Sequence, residues 1–113
     1  MKTNTETELS LQTLHQCSSL ISLKLDNTNF LLWRSQMEPL IQSINMAHHL
    51  FEGSEPPSKI TTDDKTETNP TYLTWKRNDG LLTAFLLRNI EMEVLVTLEN
   101  VSSAHMVWKS IEE

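Results

Sequence analysis

The sequence predicts a small all-α domain, a bundle of about four helices that follows a short extended lead-in. Three observations favour this fold class. Apolar residues recur at helical spacing in residues 30–44, 72–86 and 107–111, and residues that commonly cap helices precede each stretch. The length of 113 residues is enough for one small domain and too short for two ordinary ones.

The N-terminal part is predicted to hold little regular structure. Residues 1–19 are rich in Thr, Ser, Gln, Asn and Glu, with scattered leucines, and such a composition predicts a mobile arm. Residues 20–26, LISLKLD, alternate apolar and polar side chains with the period of a half-buried strand. Because one strand makes no sheet, we expect an extended lead-in that packs on helices or pairs between chains.

The first helix is predicted to begin after residues 27–29, since Asn27, Thr28 or Asn29 can cap it. Pro39 lies within the helical pattern, and we expect it to bend the helix rather than end it because the apolar spacing continues in phase. Residues 46–51 can add one more turn, which Gly53 would close with a left-handed conformation. The apolar side of this helix comprises Phe30, Trp33, Met37, Leu40 or Ile41, and Ile44.

Residues 53–68 contain a glycine, two adjacent prolines and many polar residues, a composition that predicts a flexible surface loop. A central helix is then predicted from the cap Asn69 and the first-turn proline Pro70, ending near Asn89. It is apolar nearly all round from residue 81 to 87, which favours the middle of a bundle. Gly80 suggests that a neighbour approaches closely. One face of this helix carries Tyr72, Trp75, Asp79, Leu82 and Leu86.

The last part of the chain predicts a short helix over residues 91–98, for which a strand is the competing interpretation, and a final helix. Ser102 or Ser103 can cap the final helix. Its apolar side is Val107, Trp108 and Ile111. Since the chain stops barely three turns into this pattern, we expect a domain that is cut short, with these three residues exposed.

Three segments read LKLDNTNFLLWRSQMEPLI, NPTYLTWKRNDGLLTAFLLRNI and SSAHMVWKSIEE, with a Pro-rich loop between the first and the second. In this order they resemble the start of the Gag polyprotein of copia-type LTR retrotransposons. The resemblance runs from about Leu20 to the end. Asn27 stands where the family commonly has Gly, and Asn tolerates the same left-handed conformation.

The resemblance implies that residues 20–113 are an incomplete capsid-like helical domain. Its function would then be structural: self-association during assembly of a virus-like particle around the element's RNA. The side chains expected to anchor its core are Phe30, Trp33, Met37, Leu40, Tyr72, Trp75, Leu82 and Leu86. The exposed side chains Val107, Trp108 and Ile111 are expected to form an association stripe between copies.

Composition excludes several partners. The net charge is −6, and Lys and Arg form no cluster, so we expect no direct nucleic-acid binding. In the family RNA is packaged through a zinc knuckle, which this sequence lacks. The apolar runs are far shorter than the about 20 residues that span a bilayer. Cys17 is the only cysteine, which excludes an intrachain disulfide and favours the cytoplasm.

No motif in the sequence predicts catalysis. The two glycines are too few for a phosphate-binding or dinucleotide-binding loop, and no serine lies in a nucleophile elbow. His48 and His49 would point about 100° apart on a helix, a poor arrangement for chelation. We therefore expect no enzyme activity, metal, cofactor or small-molecule substrate. For Asp79, which faces the apolar side, we expect a buried hydrogen bond to a helix end or to an indole N–H.

Two alternatives to a self-associating capsid fragment remain open. A monomeric helical module could bind a partner peptide or helix, or the chain could be a degenerate remnant of an element without selected function. The size distribution in solution separates the first of these from a homo-oligomer.

Overall fold

The computed structural model describes residues 6–112, which form a mostly helical domain with one small β-hairpin. The α-helices are α1 (Leu11–Ser18), α2 (Phe30–Ser43), α3 (Pro70–Arg88), α4 (Met92–Leu95) and α5 (Ala104–Glu112), and a 3-10 helix covers Ala47–Leu50. The hairpin consists of β1 (Lys59–Thr62) and β2 (Lys65–Thr68), paired antiparallel. The predicted helical class is therefore correct for most of the chain, but the fold is not purely α.

The N-terminal segment is a packed part of the domain. Helix α1 begins at Ser10, whose side-chain oxygen accepts a hydrogen bond from Thr13 N at 3.0 Å. Leu9, Leu14 and Cys17 are buried in the apolar core. The predicted mobile arm over residues 1–19 is thus wrong for residues 9–18, because three apolar side chains are enough to fix a short helix on a larger core. Residues 1–5 of that arm lie outside the described residues.

The lead-in packs within its own chain. This is one of the two arrangements expected from the sequence, the other being pairing between chains. Leu25 is buried and pairs with Ile90 through an isolated parallel bridge. Its N–H donates to Asn89 O at 2.9 Å, and its carbonyl accepts from Glu91 N at 2.8 Å. The lead-in therefore connects the start of α2 to the end of α3.

Helix α2 runs through Pro39 without ending, as predicted. Trp33, Met37 and Ile41 have no exposed surface, so every turn of the helix places one side chain in the core. Pro39 and Ser35 are on the solvent side. Water can therefore bond to the Ser35 carbonyl, which lacks an amide partner at the proline.

The chain reverses direction after α2 at Asn45, which has a positive φ of 63°. Asn45 N donates to Gln42 O at 3.0 Å and Met46 N donates to Ile41 O at 3.1 Å. These two bonds are those of a Schellman motif, with Met46 and Ile41 both buried in contact with the core. The left-handed residue that closes α2 is thus Asn45. The predicted extra turn forms as the 3-10 helix, and Gly53 follows it with a left-handed φ of 88°, as expected.

The predicted loop over residues 53–68 is exposed but contains the hairpin. Asp63 and Asp64 have φ values of 51° and 66°, so they form the two-residue type I′ turn that matches the twist of paired strands. All eight strand residues are exposed. The predicted loop is thus wrong for these strands. Asp-Asp lacks the glycine that usually marks this turn, so the sequence carries little signal for the hairpin.

Helix α3 begins and ends as predicted, at the cap Asn69 and at Asn89. The Asn69 side chain accepts a hydrogen bond from Thr71 N at 3.1 Å. Gly80 is exposed and has no atom within 4 Å of the position of a β-carbon, so the predicted close approach there is wrong. Helix α4 forms in place of the competing strand.

Helix α5 packs on α3 and on the 3-10 helix, which corrects the prediction for the C-terminal stripe. Val107 has no exposed surface, Trp108 is 3% exposed, and Ile111 is partly buried against the core. The ring centroids of Trp108 and Trp33 lie 5.8 Å apart. The predicted exposed association stripe is therefore wrong, because residues already present in the chain cover it. Ser103 caps α5 by accepting a hydrogen bond from Met106 N at 3.2 Å.

The predicted core anchors divide into three groups. Trp33, Met37, Leu82 and Leu86 have no exposed surface. Phe30 and Leu40 are partly buried at the edge of the same apolar cluster, and Tyr72 is half-buried. Trp75 is buried outside that cluster, against His49. Within residues 6–112, no helix is long and apolar enough to cross a membrane.

Candidate functional site

A polar cluster lies inside the domain, and its central residue is His49. The His49 side chain has no exposed surface and stands between two carboxylates. Its Nδ1 is 2.9 Å from Asp79 Oδ1, and its Nε2 is 2.6 Å from Glu6 Oε2. The ring stacks on Trp75 with centroids 4.9 Å apart and planes inclined by 16°. Packing and hydrogen bonds together therefore hold the imidazole in one orientation.

Local backbone structure brings these side chains together. The reversal at Asn45 directs the 3-10 helix back towards α3, and His49 N donates to Met46 O at 3.0 Å within that turn. Asp79 lies on the buried face of α3, and its Oδ2 accepts a hydrogen bond from Ala104 N at 3.3 Å. Ala104 is the first residue of α5, so the carboxylate also faces the positive end of that helix. The expected bond between Asp79 and a helix end is confirmed.

Asn78 fixes the N-terminal strap, by which we mean residues 6–9, along α3. Its Oδ1 accepts from Leu9 N at 2.8 Å. Its Nδ2 donates to Thr7 O at 2.5 Å and to Glu6 Oε2 at 3.0 Å. Arg77 Nη1 donates to Leu9 O at 2.6 Å. These bonds set the position of the Glu6 carboxylate beside His49.

The hydrogen-bond pattern favours a protonated His49. Both ring nitrogens face carboxylate oxygens, and only the imidazolium can donate from both. Burial alone would lower the pKa of His49, but the hydrogen bonds to Asp79 and Glu6 outweigh it and raise that pKa above its ordinary value. Burial likewise opposes ionisation of Glu6, yet bonds from His49, Asn78 and His48 hold the pKa of Glu6 below its ordinary value.

This arrangement limits the chemistry that His49 can perform. A general base or a nucleophile needs a free ring nitrogen, and both nitrogens of His49 are engaged by carboxylates. The side chain instead links the strap, the 3-10 helix and α3. Trp75 Nε1 is buried and has no hydrogen-bond partner among residues 6–112, although the indole packs against the same ring.

His48 joins the cluster at its solvent side. Its side chain is 45% exposed, and its Nε2 is 2.8 Å from Glu6 Oε1. The predicted divergence of the two adjacent histidines holds for an α-helix, but they lie in a 3-10 helix. In the 3-10 helix the two rings lie 4.5 Å apart by centroid, and both Nε2 atoms reach the same carboxylate. The nearest donor atoms of Glu6, His48 and His49 all lie within 4.8 Å of one another.

The other residues considered for chemistry lie apart from this cluster. His15 is exposed on α1, whereas Cys17 is buried in the core, and this burial raises the pKa of its thiol. Asp63 and Asp64 form the exposed hairpin turn. Trp33 donates from Nε1 to Asn89 O at 3.0 Å inside the core, where it has no surface for stacking on a base.

Comparison with known proteins points to a mobile genetic element. Over 92 residues, or 80% of the chain, the sequence is 34% identical to the retrovirus-related Pol polyprotein from transposon RE1 of Arabidopsis thaliana. It is 33% identical over the same length to the retrovirus-related Pol polyprotein from transposon RE2 of that plant. This similarity supports a retrotransposon origin. The chain spans 6% of the length of these curated relatives. No profile of a known protein family matches the chain, and no solved structure matches it.

Sequence reasoning missed Glu6 and Asn78 as members of the cluster. A signal for Asn78 was present, since it falls between Trp75 and Leu82 at spacings of three and four, on the buried side of α3. Glu6 lies in a polar stretch without periodicity. Its partners follow it by 42 to 72 residues, and the sequence carries no signal for contacts at that separation.

Proposed function

We propose that this chain is a Gag or capsid-type segment of a copia-like retrotransposon. Its role would be structural and non-catalytic: self-association within the parent polyprotein during assembly of a virus-like particle in the cytoplasm. The similarity to the transposon RE1 and RE2 polyproteins over 80% of the chain is the observation that carries the proposal. Three segments resemble copia-type Gag and occur in the same order as in that family. This resemblance supports the assignment to a Gag or capsid-type segment.

Two features support a non-catalytic role. The carboxylates and imidazoles of the buried cluster are engaged with one another, so they serve as internal links between elements. The sequence has two glycines and no motif of a nucleophile or a phosphate-binding loop.

The net charge of −6 argues against RNA binding by this segment, and RNA packaging would then depend on another part of the polyprotein.

The surface for self-association must be sought away from α5, since Val107 and Trp108 are buried. Leu31 and Leu32 follow one another at the start of α2 and are 77% and 56% exposed. Their exposed surfaces are contiguous, and half-buried Phe30 adjoins them. We propose this α2 face, defined as Leu31 and Leu32, as the contact between copies, because burial of two leucines removes apolar surface from water.

Sedimentation velocity over a concentration series tests this proposal. We expect the wild-type chain to form concentration-dependent dimers or small oligomers, and the double variant Leu31→Glu, Leu32→Glu to sediment as a monomer. Leu73→Glu is the matched control, because Leu73 is also 56% exposed but lies on α3. If the double variant and Leu73→Glu reduce association equally, the α2 face is not the contact between copies.

A second candidate function, a monomeric helical interaction module, is favoured by one observation. Helix α5 closes the core with residues of this chain alone, so the domain has a complete interior around Trp108. A wild-type chain that stays monomeric at every concentration, with slow amide exchange in α5, would support this module over the capsid-type segment.

A further inference from the structure

We propose that Glu6, His48 and His49 form a binding site for a divalent cation of the zinc type, with Asp79 orienting His49. Two imidazoles and one carboxylate make a donor set that zinc accepts, with a fourth position left for water. The three side chains come from the strap and the 3-10 helix, which are adjacent only in the folded protein. Zinc binding at this site does not require the proposed self-association.

The spacing of the donor atoms is close to that of a tetrahedral site. Zinc–ligand bonds of about 2.0–2.1 Å place neighbouring donor atoms roughly 3.4 Å apart. Glu6 Oε1 and Oε2 now lie 2.8 and 2.6 Å from His48 Nε2 and His49 Nε2. The donors lie within 4.8 Å of one another. Side-chain movements on the order of 1 Å would therefore admit the ion.

Asp79 supplies the second observation. Its Oδ1 lies 2.9 Å from His49 Nδ1, so Nδ1 carries a proton and Nε2 points towards Glu6 and His48. A carboxylate behind a histidine ligand is the usual support of zinc-bound imidazole, because it fixes the ring and makes the nitrogen more basic. The stacked Trp75 ring holds the same imidazole plane. His49 is thus positioned as a ligand before any ion binds.

Access and charge also fit a cation. His48 is 45% exposed, so an ion can enter from solvent and keep a water on that side. The cluster contains the carboxylates of Glu6 and Asp79. On binding, zinc replaces the protons that His49 Nε2 and His48 Nε2 direct at Glu6. The His49 proton leaves to solvent, and the exposed His48 ring gives up its Nε2 proton and carries one on Nδ1 instead. The alternative is a purely hydrogen-bonded cluster, in which all three donors keep their present partners.

Binding would stabilise the folded chain, because the donor atoms come together only in the fold. We expect EDTA-treated, dialysed protein to bind one equivalent of added zinc, measured by competition with a chromophoric chelator. Cobalt should give the intense visible absorption of a tetrahedral site. The thermal midpoint should rise with added zinc and return after EDTA.

His48→Gln is the first test variant, since a half-exposed side chain can change without loss of the fold, which circular dichroism will verify. It should weaken zinc binding at least tenfold. Asp79→Asn should weaken it by 10- to 100-fold, the usual effect of removing an orienting carboxylate. His15→Gln is the matched control, because His15 is exposed on α1 outside the cluster, and it should leave affinity unchanged.

Three results would overturn the site. The first is a wild-type chain that takes up less than a fifth of an equivalent of zinc at micromolar concentration. The second is an equal loss of affinity in His48→Gln and His15→Gln, which would indicate adventitious binding by surface histidines. A tetrahedral cobalt spectrum that persists in His48→Gln would likewise place the ion elsewhere.

Discussion

Replacing Trp108 with Ala should destabilise the domain by about 3–5 kcal/mol. Trp108 is 3% exposed, and its ring centroid lies 5.8 Å from that of Trp33, so truncation leaves a cavity between α5 and α2. It also removes the aromatic pair, which is worth about 0.5–1.5 kcal/mol in other proteins. Since domains of this size are stable by about 5–15 kcal/mol, the variant should lose a large fraction of its stability.

Urea unfolding followed by far-ultraviolet circular dichroism measures this loss without relying on tryptophan fluorescence. Leu73→Ala is the control, because Leu73 is 56% exposed, and its effect should stay within about 0.5 kcal/mol. If Trp108→Ala lowers the free energy of unfolding by less than about 1 kcal/mol, as the control should, then Trp108 lies on the surface. The buried position of α5 would then be wrong, and the association stripe first predicted for it would be restored.

Four further predictions concern local features. Asn45→Val should cost about 1–2 kcal/mol in urea melts because a β-branched residue resists positive φ, whereas Asn45→Gly should cost less than half of that. Asp64→Gly should keep the hairpin and sharpen its cross-strand NMR contacts, since Asp-Gly is a preferred type I′ pair; loss of those contacts would contradict the turn. Cys17 should react with a thiol reagent at least tenfold more slowly in the folded chain than in urea, given its burial and raised pKa; equal rates would contradict that burial. Asn78→Ala should speed amide exchange in residues 6–18 but not in α2, and unchanged exchange would show that other bonds hold the strap.

Much of the helical architecture could be predicted because its signals are local. Asn69 and Pro70 mark the start of α3, and the spacing of Trp33, Met37 and Ile41 marks the buried side of α2. Helix α1 was missed because its apolar residues are few. Burial of Leu14 depends on a core formed much later in the chain. The stripe on α5 was identified by its spacing, but spacing does not tell whether another element covers it.

The polar cluster could be predicted only in part. Asp79 was recognised as a polar residue on an apolar face, and a bond to a helix end was expected for it. The sequence does not predict that Asp79 pairs with His49, because the two residues are 30 positions apart and on different elements. The backbone reversal at Asn45 brings them together, and an Asn in the left-handed conformation carries no unique sequence signature.

The strap has a consequence for the order in which the chain acquires structure during translation. Residues 6–9 leave the ribosome early, yet their partners Arg77 and Asn78 lie 68 to 72 positions downstream. At about 5–20 residues per second, the strap waits on the order of 4–14 s before α3 exists to receive it. Any protein fused to the N-terminus is therefore synthesised and can fold before this segment docks on α3.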